Sequence, residues 1–265
     1  MASRTKQKEE ARARRLAEER ARAERATRER RLRMIGGVVV SALVVVAVFI
    51  AISSGGGSGT TGLQTGNKAS QLTTQVDHLL KGIPQTGARL GNPSAPVTLT
   101  YYGDLECPVC QAFTLQGGFP QLVSNDVKAG KVQVVYKAFQ TATQDPNVFK
   151  TQQVAALAAG QQQRFWNFTE LFYHEQGAEG TGYVSESYLS GLARQIPGFN
   201  LAKWQSDRSA ATLAASITTD EQTGTKIGVQ GTPTLIMTGP KGSAVPGNGS
   251  VPAYSDLQAA YKKVA

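Results

Sequence analysis

The chain has 265 residues with 28 Lys and Arg, 19 Asp and Glu, two Cys and two His, and a formal charge of +9. Residues 1–33 hold 13 Lys or Arg and 6 Glu, a net of +7, which leaves +2 for the rest, so the basic character belongs to a tail. That tail has no aromatic residue and no binding fold, which argues against nucleic acid as a partner, and two isolated histidines fit no zinc spacing.

In the tail, Glu10/Arg14, Glu18/Arg22, Glu24/Arg28 and Glu29/Arg33 stand at helical i,i+4 spacing in the favourable order, so residues 1–33 read as a solvated cytoplasmic helix. Residues 34–53, from Met34 to Ser53, carry no charge and are dominated by Val, Ile, Ala and Leu. At about 1.5 Å per residue they reach about 30 Å, the hydrocarbon thickness, and are expected to form a single transmembrane helix. Basic residues precede it, so the positive-inside rule places the N-terminus in the cytoplasm and the remainder outside the cell membrane. The rival reading is a cleaved signal peptide, because Ala51-Ile52-Ser53 loosely matches a small-x-small processing site. The long n-region and the long apolar segment favour an uncleaved anchor, and either case exports the rest of the chain.

Residues 54–71 form a Gly/Ser/Thr-rich stretch expected to act as a flexible linker, and residues 72–265 are of single-domain length. Val97 to Tyr102 reads as a strand, β-branched and aromatic between Pro96 and Gly103. A helix is expected to start near Cys107 and to kink near Gly117, Gly118 and Pro120. Val132 to Lys137 is a second strand. A helical block over about 145–222 follows, with segments Val154–Ala159, Phe165–Phe172, Tyr188–Ala193 and Leu213–Glu221 divided by Gly and Pro signals. Thr234 to Met237 restores a strand, and Ser255 is a candidate cap for a last helix. This order implies an α/β sheet with a helical insertion. Phe165, Trp166, Phe168, Leu171 and Phe172 are expected to pack the insertion against the sheet, and His174 reads as a surface or satisfied histidine. The triplets at Asn167 and Asn248 match the glycosylation pattern without carrying weight.

Cys107-Pro108-Val109-Cys110 holds both cysteines at a strand-to-helix junction. As a plain staple the pair does little, since a four-residue loop returns about 2 kcal/mol against about 4.7 for a hundred residues. Across the first turn of a helix, Cys107 faces unsatisfied N–H groups and the positive end of the macrodipole. Such thiols have pKa values lowered into the ~3.5–7.5 range, so Cys107 is the expected nucleophile and Cys110, one turn inside, the resolving thiol. Pro108 suits the first turn because it needs no N–H donor. In the oxidised form a substrate thiolate attacks Cys107, and a second substrate thiol then releases a disulfide-bonded product.

Gly103-Asp104-Leu105-Glu106-Cys107-Pro108-Val109-Cys110, Gly228-Val229-Gln230-Gly231-Thr232-Pro233-Thr234 and the helical block between them resemble the DsbA-like branch of thioredoxin-fold disulfide oxidoreductases, in its membrane-anchored bacterial form. The likeness covers about residues 75–265. It implies a thioredoxin-like fold with an inserted helical subdomain, a cis Thr232–Pro233 peptide facing the thiols, and a Thr232 backbone that pairs with an extended substrate. It also implies exported proteins with free cysteines as clients and a membrane quinone-linked reoxidase as partner, with no cofactor or metal.

Two departures from that family matter. DsbA itself has histidine where this chain has Val109, and thioredoxin reductants carry a buried aspartate where this chain has Tyr101. Asp104 and Glu106 read as solvent-facing, with a proton-shuttle role open for Glu106. The resulting expectation is an oxidase that introduces disulfides. Reduction or isomerisation by the same fold and a peptide-binding holdase with inert cysteines are the alternatives.

Overall fold

The structure is a computed structural model that describes residues 62–247 and 251–265. The basic tail, the apolar segment 34–53, most of the linker and Asn248 lie outside the described residues. Among the described residues no helix is long and apolar enough to cross a membrane.

Helix α1 spans Gly66–Leu80 and therefore starts inside the stretch expected to be linker through residue 71. Composition hid this, because the first turns are Gly, Asn, Ser and Thr. The apolar residues that hold the helix come later, with Val76 and Leu80 buried, and Leu63 ahead of it is buried too. The Gln64 N–H also donates to Glu175 Oε2 at 2.8 Å, fixing the chain before the helix starts.

Two short strands follow, β1 (Gln85–Thr86) and β2 (Arg89–Leu90), then β3 (Val97–Gly103). Helix α2 covers Pro108–Leu115 and α3 Phe119–Leu122, continued by a π turn over Val123–Val127. Strand β4 is Val132–Ala138. Helices α4 (Pro146–Gly160), α5 (Phe165–His174), α6 (Glu186–Gln195), α7 (Leu201–Asp207) and α8 (Ala211–Lys226) form the insertion, extending four residues past the expected end near 222. Strands β5 (Thr234–Gly239) and β6 (Gly242–Ala244) and helix α9 (Tyr254–Val264) close the chain. Ser255 is inside α9 rather than its cap; the turn is closed by the Ala253 N–H donating to Asp256 Oδ2 at 2.9 Å.

The sheet order is β1-β2-β4-β3-β5-β6. Strand β3 is central, parallel to β4 from Val97↔Val132 to Gly103↔Ala138, and antiparallel to β5. Tyr102 pairs with Thr234, so the end of β3 leading to Cys107 lies beside the start of β5, just after Pro233. That register brings together two motifs about 125 residues apart.

The core between sheet and insertion is aromatic. Phe119 stacks on Trp166 with centroids 5.2 Å apart, Tyr101 meets Phe113 edge-on at 5.4 Å, and Tyr136 packs on Phe165 at 5.3 Å. Such pairs add roughly 0.5–1.5 kcal/mol each beyond area burial. Phe165, Trp166, Phe168, Leu171 and Phe172 are all buried, as their core role requires.

Gly103 ends β3 where the Tyr101 and Tyr136 rings leave no room. A Cβ there would stand 2.6 Å from Tyr136 Cε2 and 3.1 Å from Tyr101 Cε2. Gly103→Ala is expected to lose about 1–3 kcal/mol through overpacking, read as a lower urea midpoint at unchanged slope. An unchanged midpoint contradicts it.

Candidate active site

After β3 the chain turns at Asp104, whose side chain gathers the loop that follows β4. Asp104 Oδ2 accepts the N–H groups of Thr141, Ala142 and Thr143, each at 2.9 Å. Asp104 Oδ1 accepts the Thr143 hydroxyl at 2.6 Å and the Glu106 N–H at 3.1 Å. Asp104 is 0% and Glu106 5% exposed, so the expectation that both face solvent is corrected. The donors that hold Asp104 are mostly backbone groups far along the chain, which no side-chain pattern announces.

Cys107 is the N-cap of α2, with φ −73° and ψ 119°, and Pro108 occupies the first turn. The Cys110 N–H donates to Cys107 Sγ at 3.4 Å. From across the sheet, the Thr232 carbonyl accepts the Cys107 thiol at 3.3 Å, and the Thr232–Pro233 peptide is cis. The Thr232 hydroxyl meets that of Thr141, on the loop Asp104 holds. Val109 is half-buried against the core. The structure thus brings Cys107, Cys110, Pro108, Val109, Thr232 and Glu106 into one neighbourhood. Both cysteines are unbonded thiols here, Cys107 4% exposed and Cys110 0%.

The two thiols are pushed apart in acidity. The Cys110 thiol, hydrogen-bonded to Cys107, holds the Cys107 pKa down against the opposing effect of burial, helped by the Thr232 side chain and by the N–H groups of Cys110 and Val109. Burial pushes Cys110 well up, and the neighbouring Cys107 adds to it. Burial also raises Glu106; the Thr143 hydroxyl opposes this, and the Asp104 and Glu179 carboxylates raise it further. A carboxyl shifted that way, directly before Cys107, can hold a proton at higher pH than an exposed glutamate does.

Sequence reasoning missed several supporting groups. Tyr101, where thioredoxin has its aspartate, donates its hydroxyl to the Cys110 carbonyl at 3.3 Å and lies 3.2 Å from Thr114 Oγ1 and 3.4 Å from the Tyr173 hydroxyl. Burial, then the charge of Cys110, raises Tyr101 well above its ordinary range, so the position offers a neutral donor and no carboxylate. From the insertion, Gln176 Nε2 donates to the carbonyls of Leu105 at 2.6 Å and Cys107 at 3.3 Å, and Gln111 Nε2 donates to the Tyr173 carbonyl at 2.7 Å. The closeness of Phe172 and Tyr173 to the aromatic cluster was the one available signal, and it pointed only to packing.

Comparison with known proteins supports the same picture. A family model described as thioredoxin matches residues 84–246. The probable disulfide bond formation protein D of Bacillus anthracis is 25% identical over 161 residues, covering 58% of this chain and 70% of that protein. Disulfide bond formation protein D of Bacillus subtilis is 26% identical over 177 residues, covering 62% and 74%. Among solved structures, oxidised BdbD from Bacillus subtilis superposes with a TM-score of 0.57 at 22% identity, over 69% of this chain and 95% of that one. Pseudomonas aeruginosa DsbA2 does so with a TM-score of 0.53 at 22% identity, over 70% and 97%. Because the family match covers more than half of the chain and spans both the dithiol and the proline turn that meets it, this chain belongs to the thioredoxin family, as a DsbA-like thiol–disulfide oxidoreductase.

Proposed function

We propose that the chain is a membrane-tethered oxidase that works outside the cytoplasm and introduces disulfides into exported proteins. The observation that carries the direction is the unequal acidity of the pair, with Cys107 lowered and Cys110 raised. Starting from the Cys107–Cys110 disulfide, a client thiolate attacks Cys107 Sγ. The S–S bond breaks, and Cys110 leaves with the electron pair and takes up a proton. A second client thiolate then attacks the client sulfur of the mixed disulfide and expels Cys107 as its thiolate. The client has lost two electrons and the enzyme dithiol has gained them. A stabilised Cys107 thiolate is the better leaving group, which drives the second step toward product.

The tether and the compartment rest on the uncharged segment 34–53 and the basic residues before it. Pro108, Val109, Thr232 and Pro233 are assigned as supports of the dithiol, and Glu106 as a proton shuttle. A membrane quinone-linked reoxidase is the partner that would restore the disulfide. Equilibration of the dithiol against glutathione buffers tests the direction. A potential near about −120 mV supports disulfide donation, while one near about −270 mV overturns it in favour of a reductase.

The acidity split has its own test. Iodoacetamide trapping of the reduced protein is expected to modify Cys107 with a half-maximal rate at a pH below the ordinary cysteine value of about 8.5, leaving Cys110 unmodified. The sign follows from the shift: a lowered pKa means that thiolate is already present below the ordinary value and is lost as pH falls through the folded one. Equal labelling of both sulfurs, or a midpoint above about 8.5, contradicts the assignment.

A further inference from the structure

Glu170 lies on α5 and is 1% exposed, and its Oε1 has no hydrogen-bond partner. It lines a cleft of about 360 Å³ between α1, α2, the π turn and α5 that contains neither cysteine. A buried carboxyl without a partner is costly to keep unless something satisfies it. Glu170 belongs to the lining of this cleft, at its buried side. Leu79 and Leu115 line the same cleft, as does His174, one turn along α5. Exposed Lys128 stands at the cleft as its cationic group. The lining therefore combines a buried acid, apolar walls and an exposed ammonium.

We infer that this cleft binds a primary alkylammonium whose short stem ends in an anionic group, with the ligand's ammonium on Glu170 and its anion toward Lys128. A stem alone would leave Glu170 unsatisfied, and a plain amine would set its own charge against Lys128. A metal fits less well, because among the described residues no three His, Cys, Asp or Glu side chains converge as a ligand set. The site is independent of the redox reading and stands or falls without it.

Burial pushes the Glu170 carboxyl up to about 8, so binding of a cation deepens as pH rises. The other titratable groups facing it are His78 from α1, His174 from α5 and Lys128, which follows the π turn; α2 contributes Thr114 and Leu115, which do not titrate. Burial holds His174 below its ordinary value and hence neutral in this range. The ionised fraction of Glu170 then sets the competent population, and the apparent Kd is expected to tighten about fivefold from pH 7 to pH 8 and less than about twofold beyond.

The test is calorimetric titration of the full chain in detergent with 5-aminopentanoate and with pentanoate. Saturable binding of the first and none of the second supports the site, as does its loss in Glu170→Gln and its weakening in Lys128→Ala. Should Glu170→Gln not fold, carboxyl ¹³C titration of the wild type replaces it: the signal titrating near pH 8 must move to lower pH when 5-aminopentanoate is added. Failure of 5-aminopentanoate to bind at any pH from 6 to 9 overturns the inference. So do equal binding of pentanoate and binding that appears only in Lys128→Ala, which would mean that Lys128 itself occupies Glu170. Redox activity of Glu170→Gln should stay at the wild-type level, so a failure here leaves the oxidase reading untouched.

Discussion

Cys107→Ser is expected to reduce disulfide transfer to the uncatalysed background, a loss of at least about 10³-fold, because the nucleophile acts as part of a unit. The one thiol that remains, Cys110, is fully buried and cannot take its place. Cys110→Ala should fail differently. The Cys107 thiolate can still attack a disulfide already present in a client, displacing one client thiolate and forming a mixed disulfide, but no Cys110 thiol is there to attack that bond and release Cys107, so a covalent complex with such a client should accumulate and disappear on reduction. The Cys110 thiol is also the largest influence holding Cys107 acidic. The same variant should therefore shift the iodoacetamide midpoint of Cys107 upward. The substitutions discriminate among the alternatives: a holdase with inert cysteines would bind clients equally well in wild type, Cys107→Ser and Cys110→Ala, and would form no covalent complex. Wild-type turnover in Cys107→Ser would remove the thiol mechanism altogether.

What could be read from the sequence is what chemistry writes into adjacent residues. The Cys107/Cys110 spacing and Pro108 state a first helical turn, and the apolar runs Val97–Tyr102 and Val132–Lys137 state two buried strands that the structure pairs in parallel. The pairing of Tyr102 with Thr234, which sets the proline turn against the dithiol, was legible only through the family resemblance. Helix α1 was missed because its early residues are polar and its anchors lie on α5 and α6, including the Thr73 hydroxyl donating to the Gln195 carbonyl at 3.3 Å. Strands β1 and β2 are two residues each, too short for any period. Asp104 was misread for a related reason, since a carboxylate satisfied by backbone donors looks in sequence like any other acid in a loop.

That misreading makes Asp104 the most informative position for stability. Asp104→Ala is expected to lose about 3–4 kcal/mol, because each buried donor left without a partner costs about 1–3 kcal/mol and several here are left together. The affected groups are the N–H of Glu106, Thr141, Ala142 and Thr143 and the Thr143 hydroxyl. The sum stays below the simple total because Thr141 is exposed and Ala142 half-buried, so water can satisfy their amides, whereas Thr143 is buried. Asp104→Asn keeps one acceptor oxygen but turns an NH₂ toward amide donors, and should lose about 2 kcal/mol. Urea unfolding reads both as lower midpoints at unchanged slope. A loss under about 1 kcal/mol for the alanine variant would mean that the loop after β4 is held by its own turn and not by the carboxylate. The carboxylate also fixes the segment whose Thr141 hydroxyl meets that of Thr232. Since Thr232 helps to keep Cys107 acidic, alanine at 104 should loosen this support while removing the negative charge that raises Glu106. Stability and thiol acidity therefore have separate readouts in the same variant: unfolding reports the lost hydrogen bonds, and the alkylation midpoint reports whether Thr232 still faces the sulfur.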